Sequence, residues 1–277
     1  MEHPDAPLPR IAYLNRQTPP HLSTLILLAG LSAMVMNIFL PSLPQMAEYF
    51  ETDYAVMQLS VPLYLSCSAL MQLFIGPLSD NLGRRRVMIW ALVMFLLATL
   101  GCILAQNVAV FLMFRVAQAV MATGIVLSRA VIRDLYTQDQ SASMIGYVTM
   151  GMALVPMLSP AVGGALAELF GWASNFWAMF IMGAVLLAIV VADMGETAQT
   201  SDKSVLAQFQ EYPELLRSPR FWGYAMASAF CSGAFFAYLG GAPYVGDTVF
   251  GLSPLWLGLY FGAPAIGYFV GNFLTGL

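Results

Sequence analysis

One arginine stands inside an apolar run. Arg115 lies about two turns into a segment that starts near Val108, at about 1.5 Å per residue. A charge in hydrocarbon is costly and marks a functional position by default; the bland alternative is an arginine snorkelling to the nearer interface. Asn37 sits near the end of the first apolar run, just before Pro41 and Pro44. Its amide can hydrogen-bond a bound molecule but carries no proton at any working pH. Pro156 and Pro160 lie four residues apart in a later run, and each removes an amide donor, which predicts a bent helix. Gly163 and Gly164, just beyond, permit close packing on a neighbour. Between two further runs come Gly76, Asp80, Gly83, Arg84, Arg85 and Arg86. Gly76 and Asp80 share a helix face, which predicts close approach of another helix at Gly76, and Gly83 predicts a helix stop. The two histidines, His3 and His21, and the three cysteines, Cys67, Cys102 and Cys231, form no cluster with metal-ligand spacing. No nucleotide-binding motif and no grouped nucleophile and base are visible, so no cofactor, metal or catalytic residue is expected. The chemistry on offer is binding and movement, with an enzyme the least supported class.

The elements that hold these residues are set by composition. The 277 residues are 59% hydrophobic and 9% charged, against about 25% charged in soluble domains. Only a lipid bilayer suits such a surface, and no nucleic-acid partner is indicated. Eight apolar spans are expected, at about 22–43, 55–79, 87–104, 109–131, 144–167, 175–193, 221–246 and 255–277, each near the roughly 20 residues that cross a bilayer as a helix. Of the 11 Lys and Arg residues, all but Arg115 fall on one side of this topology, and the opposite connections hold none. That asymmetry predicts a cytoplasmic N-terminus. The first run is too long for a signal-peptide core. The chain then divides into a proline-rich cytoplasmic tail (1–20), six spans (21–194), a polar cytoplasmic linker (195–219) and two more spans (220–277). Aromatic residues make up 13% and there are 18 methionines, surfaces that suit lipophilic substrates of varied shape.

The stretch from Gly76 to Arg86 resembles the loop between helices 2 and 3 of the major facilitator superfamily, pattern G-x-L-x-D-x-x-G-R-[RK]-[RK]. Arg115 with Gln118 resembles that family's R-x-x-Q-G signature, with Ala119 in place of the glycine. The residues around Pro156, Pro160, Gly163 and Gly164 resemble its antiporter signature G-P-x-x-G-G, with Ser159 in place of the first glycine. The run from Asn37 to Pro44, together with Gln58, Gln72, Gly171 and Trp172, is similar to the bicyclomycin/chloramphenicol-resistance (Bcr/CflA) branch of drug exporters. Asn37 stands where that branch has aspartate.

The resemblance implies an all-α membrane protein with the major facilitator fold, comprising the N-terminal six-helix half and helices 7 and 8, as if cut short after helix 8. It implies a multi-pass protein of the bacterial inner membrane that exports drugs or other amphipathic molecules by alternating access, with proton antiport. An uptake carrier for a small metabolite is the alternative. It places Asn37, Arg115, Gln118 and Tyr64 at the substrate or coupling site. Gly76, Asp80, Gly83, Arg84, Asp134, Pro156, Pro160, Gly163 and Gly164 become conformational residues. Asp80, Arg84 and Asp134 would form a charge cluster that latches the two halves together. For Glu168 and Asp247 a solvated interfacial charge is expected.

Overall fold

The computed structural model describes residues 11–198 and 212–260. The described residues are helical, with no β-strand. Six long helices come first: α1 (Leu22–Tyr49), α2 (Tyr54–Leu82), α3 (Arg84–Leu104), α4 (Val108–Leu135), α5 (Gln138–Phe170) and α6 (Ala173–Asp193). A short helix at Tyr212–Arg217 precedes α7 (Pro219–Val249). Six of these seven long helices meet the length and hydropathy of a membrane span, and the 33-residue α5 is long enough at about 1.5 Å per residue. The protein is a multi-pass membrane protein. The eighth span expected at 255–277 begins in helix at 254, and its part beyond 260 lies outside the described residues, as do 199–211 of the linker.

Helices outrun the spans read from hydropathy. α1 continues to Tyr49, α4 to Leu135, and α5 covers 138–170 rather than 144–167. Hydropathy ends where polar side chains begin, but backbone hydrogen bonding does not. The prolines act unequally on their helices. A 3-10 turn at Leu40–Ser42 interrupts α1 at Pro41, and α5 runs unbroken through Pro156 and Pro160. Gly83 ends α2 with φ +94° and Gly171 ends α5 with φ +80°, conformations that favour glycine.

α1 packs against α4, α5 and α6, α3 against α4 and α6, and α2 against α4. Small residues let the backbones approach. Between α1 and α4, Ser32 Oγ donates to Met121 O (2.7 Å) and Ser128 Oγ to Leu25 O (3.0 Å). A Cβ on Gly124 would sit 2.7 Å from Leu28 O. The end of the bundle opposite the arginines is filled by Phe50, Phe111, Trp172 and Phe176, with ring centroids 5.4–6.3 Å apart. Leu70, Trp90 and Leu97 face outward, as a lipid-facing surface requires.

Gly76 and the tail differ from expectation. No described neighbour lies within 4 Å of a Cβ built on Gly76, so among the described residues no helix approaches closely there. The tail is not simply extended: Leu14, His21 and Thr24 are tied to Asp193 at the end of α6.

Candidate functional site

Arg115 is fully buried, so it does not snorkel. It sits where α4 passes from α-helix (Val108–Ala117) into a 3-10 turn at Gln118–Met121. Its guanidinium lies between two rings, 4.4 Å from the Phe39 centroid and 4.2 Å from that of Tyr64. Each desolvated cation–π contact contributes about 0.5–2 kcal/mol. Nη1 donates to Gln118 Oε1 (2.8 Å) and Nη2 to Val35 O (3.0 Å), while the buried Nε has no acceptor among the described residues. Gln118 Nε2 donates in turn to Thr99 Oγ1 (2.8 Å). Three helices therefore hold one cation with neutral acceptors and π faces, α3 orients Gln118 from behind, and among the described residues no carboxylate pairs with the cation.

The structure thus brings together Arg115, Gln118 and Tyr64, and adds Phe39 and Thr99. Asn37 is not part of this hydrogen-bond set. It is fully buried, its Nδ2 donates to Ala33 O (2.7 Å) on its own helix, and its Oδ1 finds no donor among the described residues.

At the arginine-rich end, Arg84 bridges Asp80 (2.5 Å) and Asp134 (3.1 Å) and donates to Ser79 Oγ. The expected cluster forms, among residues of the first six helices. Arg85 donates to Met194 O (2.8 Å) and Val191 O (3.0 Å), placing a cation on the carbonyl end of α6. Glu196 Oε1 accepts from Arg84 N (2.7 Å) and so caps α3. Asp193 is a residue that sequence reasoning missed. In the fold it is fully buried and accepts from Leu14 N (2.7 Å), His21 N (2.9 Å) and Thr24 Oγ1 (2.6 Å) at the start of α1. Its only sequence signal is an acid ending an apolar run. Replacing Asp193 with Ala strands three donors, at about 1–3 kcal/mol each. The expected result is a melting temperature lower by about 5 °C or more in detergent, with faster proteolysis of the tail. An unchanged melting curve would show that the clasp is not a stabilising feature.

At the other end, close packing joins α5 to the residues just after α7. A Cβ on Gly163 would overlap Ile38 O of α1, and one on Gly164 would overlap Pro254 O. Glu168 Oε2 accepts from Ser253 Oγ (2.7 Å) and Leu255 N (3.1 Å), so this residue is a bridge and not merely a solvated charge. Tyr54 O–H donates to Gly240 O (2.9 Å), linking α2 to α7. α7 also packs on the Leu40–Ser42 turn of α1 and the residues after it. The described contacts between the six-helix bundle and α7 thus gather at the end away from the arginines.

The chain and its fold are similar to known proteins. A family model described as Major Facilitator Superfamily matches residues 25–277. The MFS-type transporter YdgK of Bacillus subtilis, itself uncharacterized, is 30% identical over 256 residues, covering 90% of this chain and 64% of that protein. The chloramphenicol resistance protein of Pseudomonas aeruginosa is 29% identical over 239 residues, covering 85% and 56%. The chain therefore spans between 56% and 64% of the length of these relatives. Among solved structures, a bacterial homolog of the human lysosomal transporter spinster, inward-facing and occupied, superposes with TM-score 0.76 at 22% identity, over 91% of this chain and 60% of that one. The match of the family model over nearly the whole sequence, on a bundle of this architecture, means that the chain belongs to the Major Facilitator Superfamily of membrane transporters.

Proposed function

We propose that this chain forms the first half, and the start of the second, of a secondary transporter that moves an amphipathic small molecule by alternating access, with its arginine-rich end in the cytoplasm. The observation that carries the reading is Arg115, a fully buried cation held by three helices of a membrane bundle, with a fourth bonding its partner Gln118. Contacts gathered at one end of the bundle support a cavity open toward the other. The described helices carry no carboxylate at bilayer depth, because Glu48, Asp80, Asp134, Glu168, Asp193 and Asp247 all sit near helix ends. A guanidinium does not release its proton, and Asn37 cannot bind one. These helices therefore suit a carrier working without proton exchange, such as an uptake carrier for a small metabolite. The second reading is proton-driven export of a lipophilic compound. The chloramphenicol resistance relative favours it, and the exchanging acid would then lie outside the described helices.

Chloramphenicol accumulation in cells, with and without expression of the protein, separates the two. Uptake raises accumulation and leaves it indifferent to collapse of the proton gradient; export lowers it in a gradient-dependent way. Unchanged accumulation, together with no saturable flux of any metabolite tested in vesicles, would reject both. Asn37→Asp is expected to add pH dependence between about pH 6 and 8, because a desolvated carboxylate titrates near neutrality. Native flux that is already strongly gradient-driven, and unmoved by the substitution, would remove Asn37 from any role in coupling.

A further inference from the structure

α2 is broken near its start. It is α-helical over Tyr54–Gln58 and resumes at Ser60–Leu82, with Leu59 between. Pro62 is the cause: it has no N–H, so the carbonyl of Gln58, four residues earlier, loses its helical donor. Inside a membrane, freed backbone groups are tolerated where they are packed in protein or line a cavity. A cavity of about 300 Å³ lies at this break. Gln58, Pro62 and Leu65 form its wall on α2, and Phe236, Ala237 and Gly240 form its wall on α7. The volume is at the lower end of the range that holds small organic ligands. The bond from Tyr54 to Gly240 O pins the two helices together at the same level.

The wall is apolar apart from one side chain. The Gln58 amide is half-buried and has no hydrogen-bond partner among the described residues. Gly240 leaves room for it, since a Cβ there would lie 2.8 Å from Gln58 Nε2. No ionised residue lines the cavity, so a charged ligand would lose its hydration without compensation. A neutral ligand with one polar group would satisfy the amide and cover Leu65 and Phe236.

We infer that this cavity is a binding subsite for an uncharged amphipathic molecule, whose hydroxyl, amide or carbonyl group bonds Gln58 and whose apolar body lies against α7. It is separate from the Arg115 cluster, and it rests on the transport reading only in that its ligand would be a substrate.

The test is equilibrium binding to the purified, detergent-solubilised chain, which needs no flux. The probe is tritiated chloramphenicol, which is uncharged and carries hydroxyl and amide groups. Saturable binding is expected. Gln58→Leu keeps the apolar bulk and should weaken binding about tenfold, the loss of one hydrogen bond. Ala237→Phe fills the cavity and should abolish binding, while both variants keep the native melting temperature. Excess tetraphenylphosphonium, a lipophilic cation, should not displace the probe. Absence of saturable binding, or equal binding by native chain and both variants, overturns the inference. So does displacement by dodecane to the same degree in native and Gln58→Leu proteins, which marks a lipid-filled groove. A native chain that binds the probe in this pattern but does not carry it in vesicles upholds the subsite and counts against transport of this ligand.

Discussion

Arg115→Leu is expected to reduce transport to background while the protein still inserts and folds. The two effects separate because of what surrounds the guanidinium. The substitution deprives Gln118 Oε1 and Val35 O of a donor, at about 1–3 kcal/mol each. It also removes a desolvated charge that no described carboxylate balances, and an apolar side chain in place of a buried ion is often neutral or stabilising. These terms offset each other, so the amount of folded protein should stay within about twofold of native. Transport has no such compensation. The cation is the one feature shared by the α4 turn, the α1 backbone and the ring of Tyr64 on α2, and a leucine carries neither its charge nor its directional bonds. Arg115→Lys should fall between the two, because an ammonium cannot lie flat between two rings while donating in two fixed directions. The measurement is initial flux per inserted molecule, with insertion scored by size-exclusion profile. Native flux in Arg115→Leu at native expression would make the arginine a structural residue only.

Gly163→Leu is expected to prevent assembly of the bundle. Gly163 marks where α5 crosses α1, the broadest contact among the described helices, and its Cα faces the Ile38 carbonyl. A Cβ would overlap that oxygen and come within 2.9 Å of Ile38 Cγ1. A side chain could rotate away from such a contact, but a helix carbonyl cannot, so α1 and α5 must part. Overpacking of a flexible core costs about 1–3 kcal/mol, and a clash with rigid backbone costs more. Parting α1 and α5 would also displace Phe39 and Val35, which hold Arg115. The expected readout is aggregation or degradation in place of a monodisperse peak in detergent. Gly76→Ala is the control: its Cβ meets no described atom within 4 Å, and alanine is the better helix former by about 1 kcal/mol. A Gly163→Leu protein that is monodisperse and melts like the native chain would contradict the α1–α5 crossing.

The sequence by itself determined the solvent, the number and order of the first seven spans, and the positions where local chemistry is compulsory. A chain with 9% charged residues needs a bilayer, and runs of about 20 apolar residues have one way to cross it. The turn at Gly83 was legible because a backbone with φ +94° selects glycine whatever surrounds it. Arg115 was legible because a charge among apolar residues stands out in one dimension. Its environment was not. Phe39, Tyr64 and Thr99 lie on three other helices, between 16 and 76 residues away along the chain, and no local pattern encodes that meeting. Gly76 shows the limit from the other direction. Its spacing from Asp80 allowed a close helix contact, and among the described residues none forms there, while the close packing expected at Gly163 and Gly164 does form. Lipid is as apolar as the bundle interior, so the contrast that tells a soluble helix which face to bury is missing here. The buried faces, and the bonds of Asp193, Glu196 and Glu168 that fasten the ends of the bundle, were decided by tertiary packing alone, because each joins groups at least 85 residues apart through oxygens that any exposed acid would also possess.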